Sequence, residues 1–219
     1  MEKLSNLEDR FNKLRTSTAC PFAENAKIRY SPDWDKSISL DSNLTNIISA
    51  FVDFADTGIK EGVDLFVSEV REKSIIRSTD NLSGYLNKLL YEIHFRDVSA
   101  KTNFTEGIEK MEWDYVFNGI RFFIAVFASI YKPNHPRFAF NKDIAFVMFQ
   151  PDATFDKYNI NSQKETRAVI TTKVMTLFEK RGFDYNIKLV QGSLKAVRYL
   201  KPLNPNGDPI EWWKNTKYL

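Results

Sequence analysis

This 219-residue chain contains two histidines and one cysteine, so any imidazole or thiol chemistry must be built from very few side chains. One of them, His135, lies in the proline-bracketed segment 132–138 (Lys-Pro-Asn-His-Pro-Arg-Phe), between two apolar runs that are typical of strands. The connection is about twice as long as a hairpin needs. Because proteins often place chemistry on long polar loops carried by a rigid sheet, His135 is the first candidate functional residue.

The small ligand set limits the kinds of metal site. A structural zinc site needs four nitrogen or sulfur ligands, and His94, His135 and Cys20 supply only three. A site of two histidines and one carboxylate would suit non-haem iron, but it would use both histidines. The sequence contains no GxGxxG, GxxxxGK[ST], GxSxG or HExxH motif. The usual nucleotide-binding and hydrolase classes are therefore not indicated.

Composition narrows the choice of partners. The net charge is +3, with acidic and basic residues interspersed, which does not indicate nucleic-acid binding. The densest apolar run, residues 120–130, contains Arg121 and is too short to span a membrane as a helix. The charged N-terminus does not resemble a signal peptide, and one cysteine favours a reducing compartment. These features predict a cytoplasmic protein that acts on a small molecule.

Alternating apolar residues predict the sheet that carries His135. Residues 115–131 form a long extended run that is apolar on both faces, which predicts a central strand with a bend or bulge at Gly119. Residues 144–149 are its expected antiparallel partner. Shorter strands are predicted at 187–190 and 196–200.

Apolar residues at spacings of three and four predict the helices. They cover residues 6–15, 41–58 (capped by Asp41), 80–97 (capped by Asp80) and 162–180, with a short turn at 153–158 and a helix or loop at 60–70. His94 falls at the edge of the buried stripe of the third helix. We therefore expect one α+β domain over residues 1–219, with a small antiparallel sheet flanked by several helices. Residues 1–40 and 200–219 are expected as appendages.

Three motifs, in this order, resemble the YqcI/YcgG family. They are Thr-Ala-Cys-Pro-Phe at 18–22, Leu-Leu-Tyr-Glu-Ile-His-Phe-Arg-Asp at 89–97, and the His-Pro-Arg-Phe loop followed by Phe-Val-Met-Phe-Gln-Pro-Asp-Ala-Thr-Phe at 146–155. The resemblance spans residues 19–184 and is most specific over 80–155. The chain departs from the family pattern in the order of Cys and Pro near residue 20, and it matches poorly beyond Gly182.

Members of that family with known activity are haem-dependent N-oxygenases that hydroxylate guanidine or amine nitrogens. The resemblance implies haem b as cofactor, dioxygen as co-substrate, an arginine-like substrate and an electron donor. It implies that His135 is the axial ligand and that Arg137 contacts a haem propionate. If His135 is the ligand, a separate hypothesis places His94 on the distal side, where a donor would assist dioxygen activation in catalysis. Aromatic side chains that would wall the macrocycle are Phe123, Phe127 and Phe146.

Several alternatives stay open at this level. His94 or a Cys20 thiolate could ligate iron instead, although a lone cysteine is more often a small core residue. The three phenylalanines are equally explained by a sheet core. The chain could bind haem without catalysis, or hold non-haem iron through both histidines.

Two further points concern substrate and assembly. Carboxylates that could pair with a cationic substrate are Glu92, Asp97 and Asp114. Trp212 and Trp213 could dock a second subunit, giving a homodimer, or fold back onto the core.

Overall fold

The computed structural model describes residues 6–157, 164–184 and 194–219. Within these ranges the helices are α1 (Leu7–Ser17), α2 (Leu40–Asp53), α3 (Lys73–Ile76), α4 (Thr79–Phe95), α5 (Ala153–Lys157) and α6 (Lys164–Lys180). The strands are β1 (Ile28–Tyr30), β2 (Leu65–Val70), β3 (Tyr115–Phe117), β4 (Ile120–Ala128) and β5 (Ala145–Pro151).

The five strands form one sheet in the order β1-β2-β5-β4-β3. Only β1 and β2 run parallel; the other neighbours are antiparallel. This confirms the predicted α+β fold and the pairing of β4 with β5. The predicted two-sided strand is β4, which is an interior strand, while β5 holds the middle position.

The predicted extended run at 115–131 is in fact a hairpin followed by a loop. Asn118 and Gly119 both have positive φ, 48° and 74°, and join β3 to β4. Two successive positive φ values are what a tight two-residue hairpin turn needs, and an Asn-Gly pair supplies them at low cost. The bend expected at Gly119 is therefore a complete chain reversal.

The prediction of helix or loop at 60–70 is wrong for its second half, because residues 65–70 form the fully buried strand β2. The apolar residues Val63, Phe66, Val67 and Val70 mimic helical spacing. Burial on both faces removes the polar alternation that would mark a strand, so periodicity alone cannot separate the two structures. The backbone pairing of residues 65–70 with β1 and β5 identifies this segment as a strand.

Smaller corrections concern helix starts and the C-terminal segment. The side chains of Ser39 and Ser78, rather than Asp41 and Asp80, cap α2 and α4. A single π-helical turn, Phe54–Gly58, extends α2. Residues 196–200, predicted as a strand, contain the 3₁₀ turn Ala196–Arg198. The strand predicted at 187–190 lies outside the described residues, as do residues 158 and 162–163 of two predicted helices.

The first face of the sheet packs against α2 and α4 around one aromatic ring. Phe51 lies 4.7–6.2 Å, centroid to centroid, from five other rings: Phe54, Phe66, Phe117, Phe122 and Phe149. Aromatic contacts in this range add to the stabilisation from apolar burial. Trp212, also fully buried, joins this core, so the tryptophan folds back onto its own chain.

The second face is covered by α1, whose Leu7, Phe11 and Leu14 pack with Val67 and Phe146. Both ends of the chain, predicted as appendages, thus contribute to the core. No helix among the described residues is long and apolar enough to cross a membrane.

A buried ion pair fixes α1 to this face. Arg10 donates from Nε and Nη2 to the two carboxylate oxygens of Glu69 at 2.8 and 2.6 Å. Glu69 is fully buried in β2 and also accepts the backbone N–H of Trp34 at 3.0 Å. A buried charge that loses its partner is strongly destabilising, because the remaining ion has no compensation.

We therefore expect Arg10→Met to lower the free energy of unfolding by about 3–5 kcal/mol in urea titrations. The control is Lys73→Met, which removes an exposed contact with Asp143 at 3.5 Å and should cost no more than about 1 kcal/mol. Adding Glu69→Leu to Arg10→Met should restore much of the loss. A double variant that is less stable than Arg10→Met would contradict this account.

Candidate functional site

The His135 loop and the C-terminal segment both attach to the free edge of β4. Because β3 pairs only with residues 120–122, the rest of that edge must find other acceptors. The N–H of Val126 donates to Tyr199 and the N–H of Ala128 donates to Arg137, both to the backbone oxygen at 2.9 Å. The loop that carries His135 is thereby held against the sheet.

His135 is buried rather than displayed in solvent. The residue is only 2% exposed, and its ring stacks on that of Tyr131, with centroids 4.2 Å apart and planes 6° from parallel. The Tyr131 hydroxyl in turn donates to the backbone oxygen of Lys201 at 2.7 Å. The imidazole is thus locked between the loop and the C-terminal segment.

One nitrogen of this imidazole has a defined partner. Nδ1 accepts the backbone N–H of Arg137 at 3.1 Å, and the backbone of Pro202 acts on the ring to raise its pKa. Nδ1 must therefore be unprotonated and Nε2 must carry the hydrogen. Burial lowers the pKa of His135 to about 3, and the charges of Lys201 and Arg137 act in the same direction. The ring is neutral at physiological pH.

Iron ligation by His135 stays a prediction, but a free lone pair on Nε2 would put the proton on Nδ1 and break its hydrogen bond from Arg137. Leaving a buried donor or acceptor unpaired costs about 1–3 kcal/mol. The cleft beside the ring, about 380 Å³, does not contain the predicted haem wall either. Its lining is mostly polar: Lys132, Asn134, His135, Asp184, Leu203, Asn204 and Pro205.

His94 lies in a different neighbourhood. Its ring is 5.6 Å from that of Phe104, and its Nδ1 is buried without a hydrogen-bond partner in the described part of the chain. The Phe104 contact of His94 has no residue in common with the Tyr131 and Arg137 contacts of His135. The structure does not bring the two predicted histidines together, and no group of three or more His, Cys, Asp or Glu side chains that could hold a metal occurs among the described residues.

The three carboxylates considered for a cationic substrate already have partners. Asp97 accepts backbone N–H groups from Ser99 and Asn118 at 2.8 and 2.9 Å. Asp114 contacts the Lys195 ammonium at 2.6 Å, and Glu92 lies 3.7 Å from Lys88.

Arg137 does join two of the predicted aromatic residues. Its guanidinium carbon lies 5.0 Å from the centroid of Phe127 and 6.0 Å from that of Phe123, and Nη2 donates to the Arg198 backbone at 3.0 Å. A guanidinium over aromatic rings is stabilised by their negative faces. Phe146 is directly opposite Phe127 across the β4–β5 pair but is fully buried against Phe11. It belongs to the core.

An apolar pocket of about 110 Å³ opens on this second face of the sheet. It lies between α1, the loop that follows it, and strands β2, β4 and β5. Its lining is Phe11, Leu14, Arg15, Thr18, Cys20, Phe22, Ala23, Ala26, Ile28, Asp64, Leu65, Phe127, Met148 and Gln150. Phe127 is thus shared between this pocket and the Arg137 contact.

Cys20 is the group in this pocket best able to bind a metal. Burial raises the pKa of its thiol, while the backbone N–H groups of Phe22 and Ala23 and the charge of Arg137 act in the opposite direction. The net shift of the pKa is upward, so the thiol keeps its proton until a metal displaces it. Sequence reasoning ranked Cys20 below His135, because neither the hydrogen bonds of the imidazole nor the proximity of Cys20 to Phe127 can be inferred from spacing.

The depressed pKa of His135 makes stability depend on pH. Between 6.5 and about 3, the unfolded chain binds a proton that the folded protein does not, so stability falls as the pH falls through this window. The cost is up to about 1.4 kcal/mol per pH unit below 6.5. His135→Phe, which keeps an aromatic ring against Tyr131, removes this term.

The free-energy difference between wild type and His135→Phe should therefore shrink as the pH is lowered through that window, in urea titrations at several pH values. Lys132→Met, an exposed change in the same loop, should show a constant difference. A constant difference for His135→Phe would mean that the imidazole takes up protons equally in both states.

Comparison of the chain with protein-family models, with curated proteins and with solved structures found no match. The family resemblance therefore stays a prediction carried by the motifs themselves, and function must be argued from the geometry of the Cys20 pocket and the His135 loop.

Proposed function

We propose that this protein is a haem-dependent N-oxygenase whose haem iron is ligated by Cys20 and whose cofactor lies on the second face of the sheet. One observation carries the proposal: Cys20 and Phe127 line the same apolar pocket, and the Arg137 guanidinium stacks on Phe127. Three of the residues considered for haem binding from the sequence are thereby neighbours.

The choice of Cys20 over His135 follows from what each side chain already does. His135 has a hydrogen bond to lose at Nδ1 and lies beside a cleft whose lining residues are mostly of polar type. The Cys20 thiol lines an apolar pocket, and because burial raises its pKa, an iron ion would have to displace the thiol proton on binding. Thiolate ligation donates electron density to haem iron and favours cleavage of the dioxygen O–O bond, which is the chemistry that the cofactor supplies when bound.

The size of the pocket sets a condition on this proposal. A volume of about 110 Å³ is below the roughly 300–1,000 Å³ of ordinary ligand pockets. The sheet side of the pocket is fixed by strand pairing, whereas residues 18–27 on the other side form no helix or strand. Porphyrin binding therefore requires this loop to move away from the sheet. Cys20 lies on this loop, so the proposed iron ligand would move together with the loop when the pocket opens.

The remaining residues would bind and orient. Phe127 would exclude water from the cofactor, and Arg137, held by its contact with Arg198, would present a positive charge at the edge of the pocket for a propionate. The proposed enzyme is cytoplasmic, acts on a small amine or guanidine substrate and receives electrons from an external donor. The catalytic role predicted for His94 is not supported by any contact with this pocket.

The ligand assignment predicts opposite behaviour of two variants. Purified protein loaded with hemin should show a Soret band that is shifted or lost in Cys20→Ala and retained in His135→Phe. The ferrous carbon monoxide complex of the wild type should show the red-shifted Soret band of a thiolate-ligated haem. If Cys20→Ala keeps the wild-type spectrum and His135→Phe loses the Soret band, His135 rather than Cys20 is the ligand.

Activity is tested separately. Haem-loaded protein supplied with dioxygen, a reductant and L-arginine or a related amine should form an N-hydroxylated product detectable by mass spectrometry, and Cys20→Ala should not. A protein that binds haem through Cys20 but oxidises none of these amines would be a haem-binding protein without this catalytic function.

A further inference from the structure

Arg15 is the one cation in the wall of the Cys20 pocket, and no carboxylate pairs with it among the described residues. It follows Leu14 on α1 and lies four residues after Phe11, so it faces the pocket together with those two apolar residues. Its Nε is buried and has no hydrogen-bond partner. No ion pair of Arg15 occurs among the described residues either; the guanidinium lies in the last turn of α1, and its charge also acts on the nearby Tyr30 hydroxyl.

An unsatisfied guanidinium donor in an otherwise apolar wall requires an explanation, because such groups in native proteins usually meet a ligand, an ion or water. The pocket also contains one carboxylate, Asp64. That carboxylate accepts the backbone N–H of Lys27 at 2.9 Å, so it is engaged in holding the loop. A pocket with apolar walls and a guanidinium at one side is complementary to an apolar molecule that carries a carboxylate.

We propose that Arg15 is the carboxylate-binding residue of this pocket. The inference rests on the proposed function only for the source of the carboxylate, which is either a haem propionate or the carboxylate of the substrate. Arg15 positions the ligand and takes no part in the chemistry. The predicted ligand is an acid whose uncharged amide binds more weakly.

The direct test uses two small probes of matched shape, butyrate and butyramide, with the protein free of haem. NMR titrations at constant ionic strength should show that the wild type binds butyrate at least about tenfold more tightly than butyramide, as expected for a hydrogen bond to a charged group. Arg15→Met should abolish this preference, and Arg15→Lys should retain part of it.

The matched control is Lys13→Met, which removes the same charge from an exposed position on the same helix. It should keep the wild-type preference for butyrate. Far-ultraviolet circular dichroism of each variant establishes that α1 is intact, and Arg15→Lys keeps the test valid if Arg15→Met does not fold. Equal binding of the two probes by the wild type, or equal loss in Lys13→Met, would overturn the assignment.

The two possible sources of the carboxylate, a haem propionate and the substrate, are distinguished by comparing haem b with its dimethyl ester, in which the propionates are blocked. If Arg15 binds a propionate, Arg15→Met weakens haem b about tenfold or more and leaves the ester unchanged. If it binds the substrate, haem b is unaffected while the butyrate preference is lost. A wild-type protein that takes up no haem would defeat the proposed function, and the probe titration would still decide the role of Arg15.

Discussion

The pairing of β4 with β5 over seven residue pairs determines on which face of the sheet Phe123, Phe127 and Phe146 lie. Because alternate residues of a strand point to opposite faces, this register sends Phe122 into the aromatic cluster around Phe51 and sends Phe123 and Phe127 to the other face. A shift of one residue would exchange the two sets. The apolar pocket and the Arg137 contact therefore depend on the same backbone ladder that builds the core.

The two candidate ligands differ in how the fold uses them. His135 closes a structural joint: its ring links the loop after β4 to the C-terminal segment, and its low pKa keeps it neutral there. Cys20 lies instead on an irregular loop that forms one wall of an apolar cavity, and loops on a rigid sheet often carry ligand-binding residues.

Much of the fold could be predicted from the sequence, since long amphipathic helices and the antiparallel β4–β5 pair carry strong periodic signals. The strand β2 could not, because burial on both faces removes its alternation and leaves a pattern that also suits a helix. The chain reversal at Asn118 and Gly119 could have been predicted from the sequence, since Asn-Gly is a strong hairpin signal. The candidate site was harder to predict. Arg137 and Phe127 were identified from the sequence, but their proximity to Cys20 depends on how α1 packs. The Arg10–Glu69 ion pair, whose residues are 59 positions apart in the sequence, fixes that packing.

The proposed ligand is the sulfur of Cys20, and because the chain has a single cysteine, iron ligation by sulfur can be tested without mutation. Resonance Raman spectra of haem-loaded protein should be compared with and without heavy-sulfur-labelled cysteine. We expect an iron–sulfur stretching band that moves to lower frequency with the label. A haem spectrum with no isotope-sensitive band would contradict ligation by Cys20.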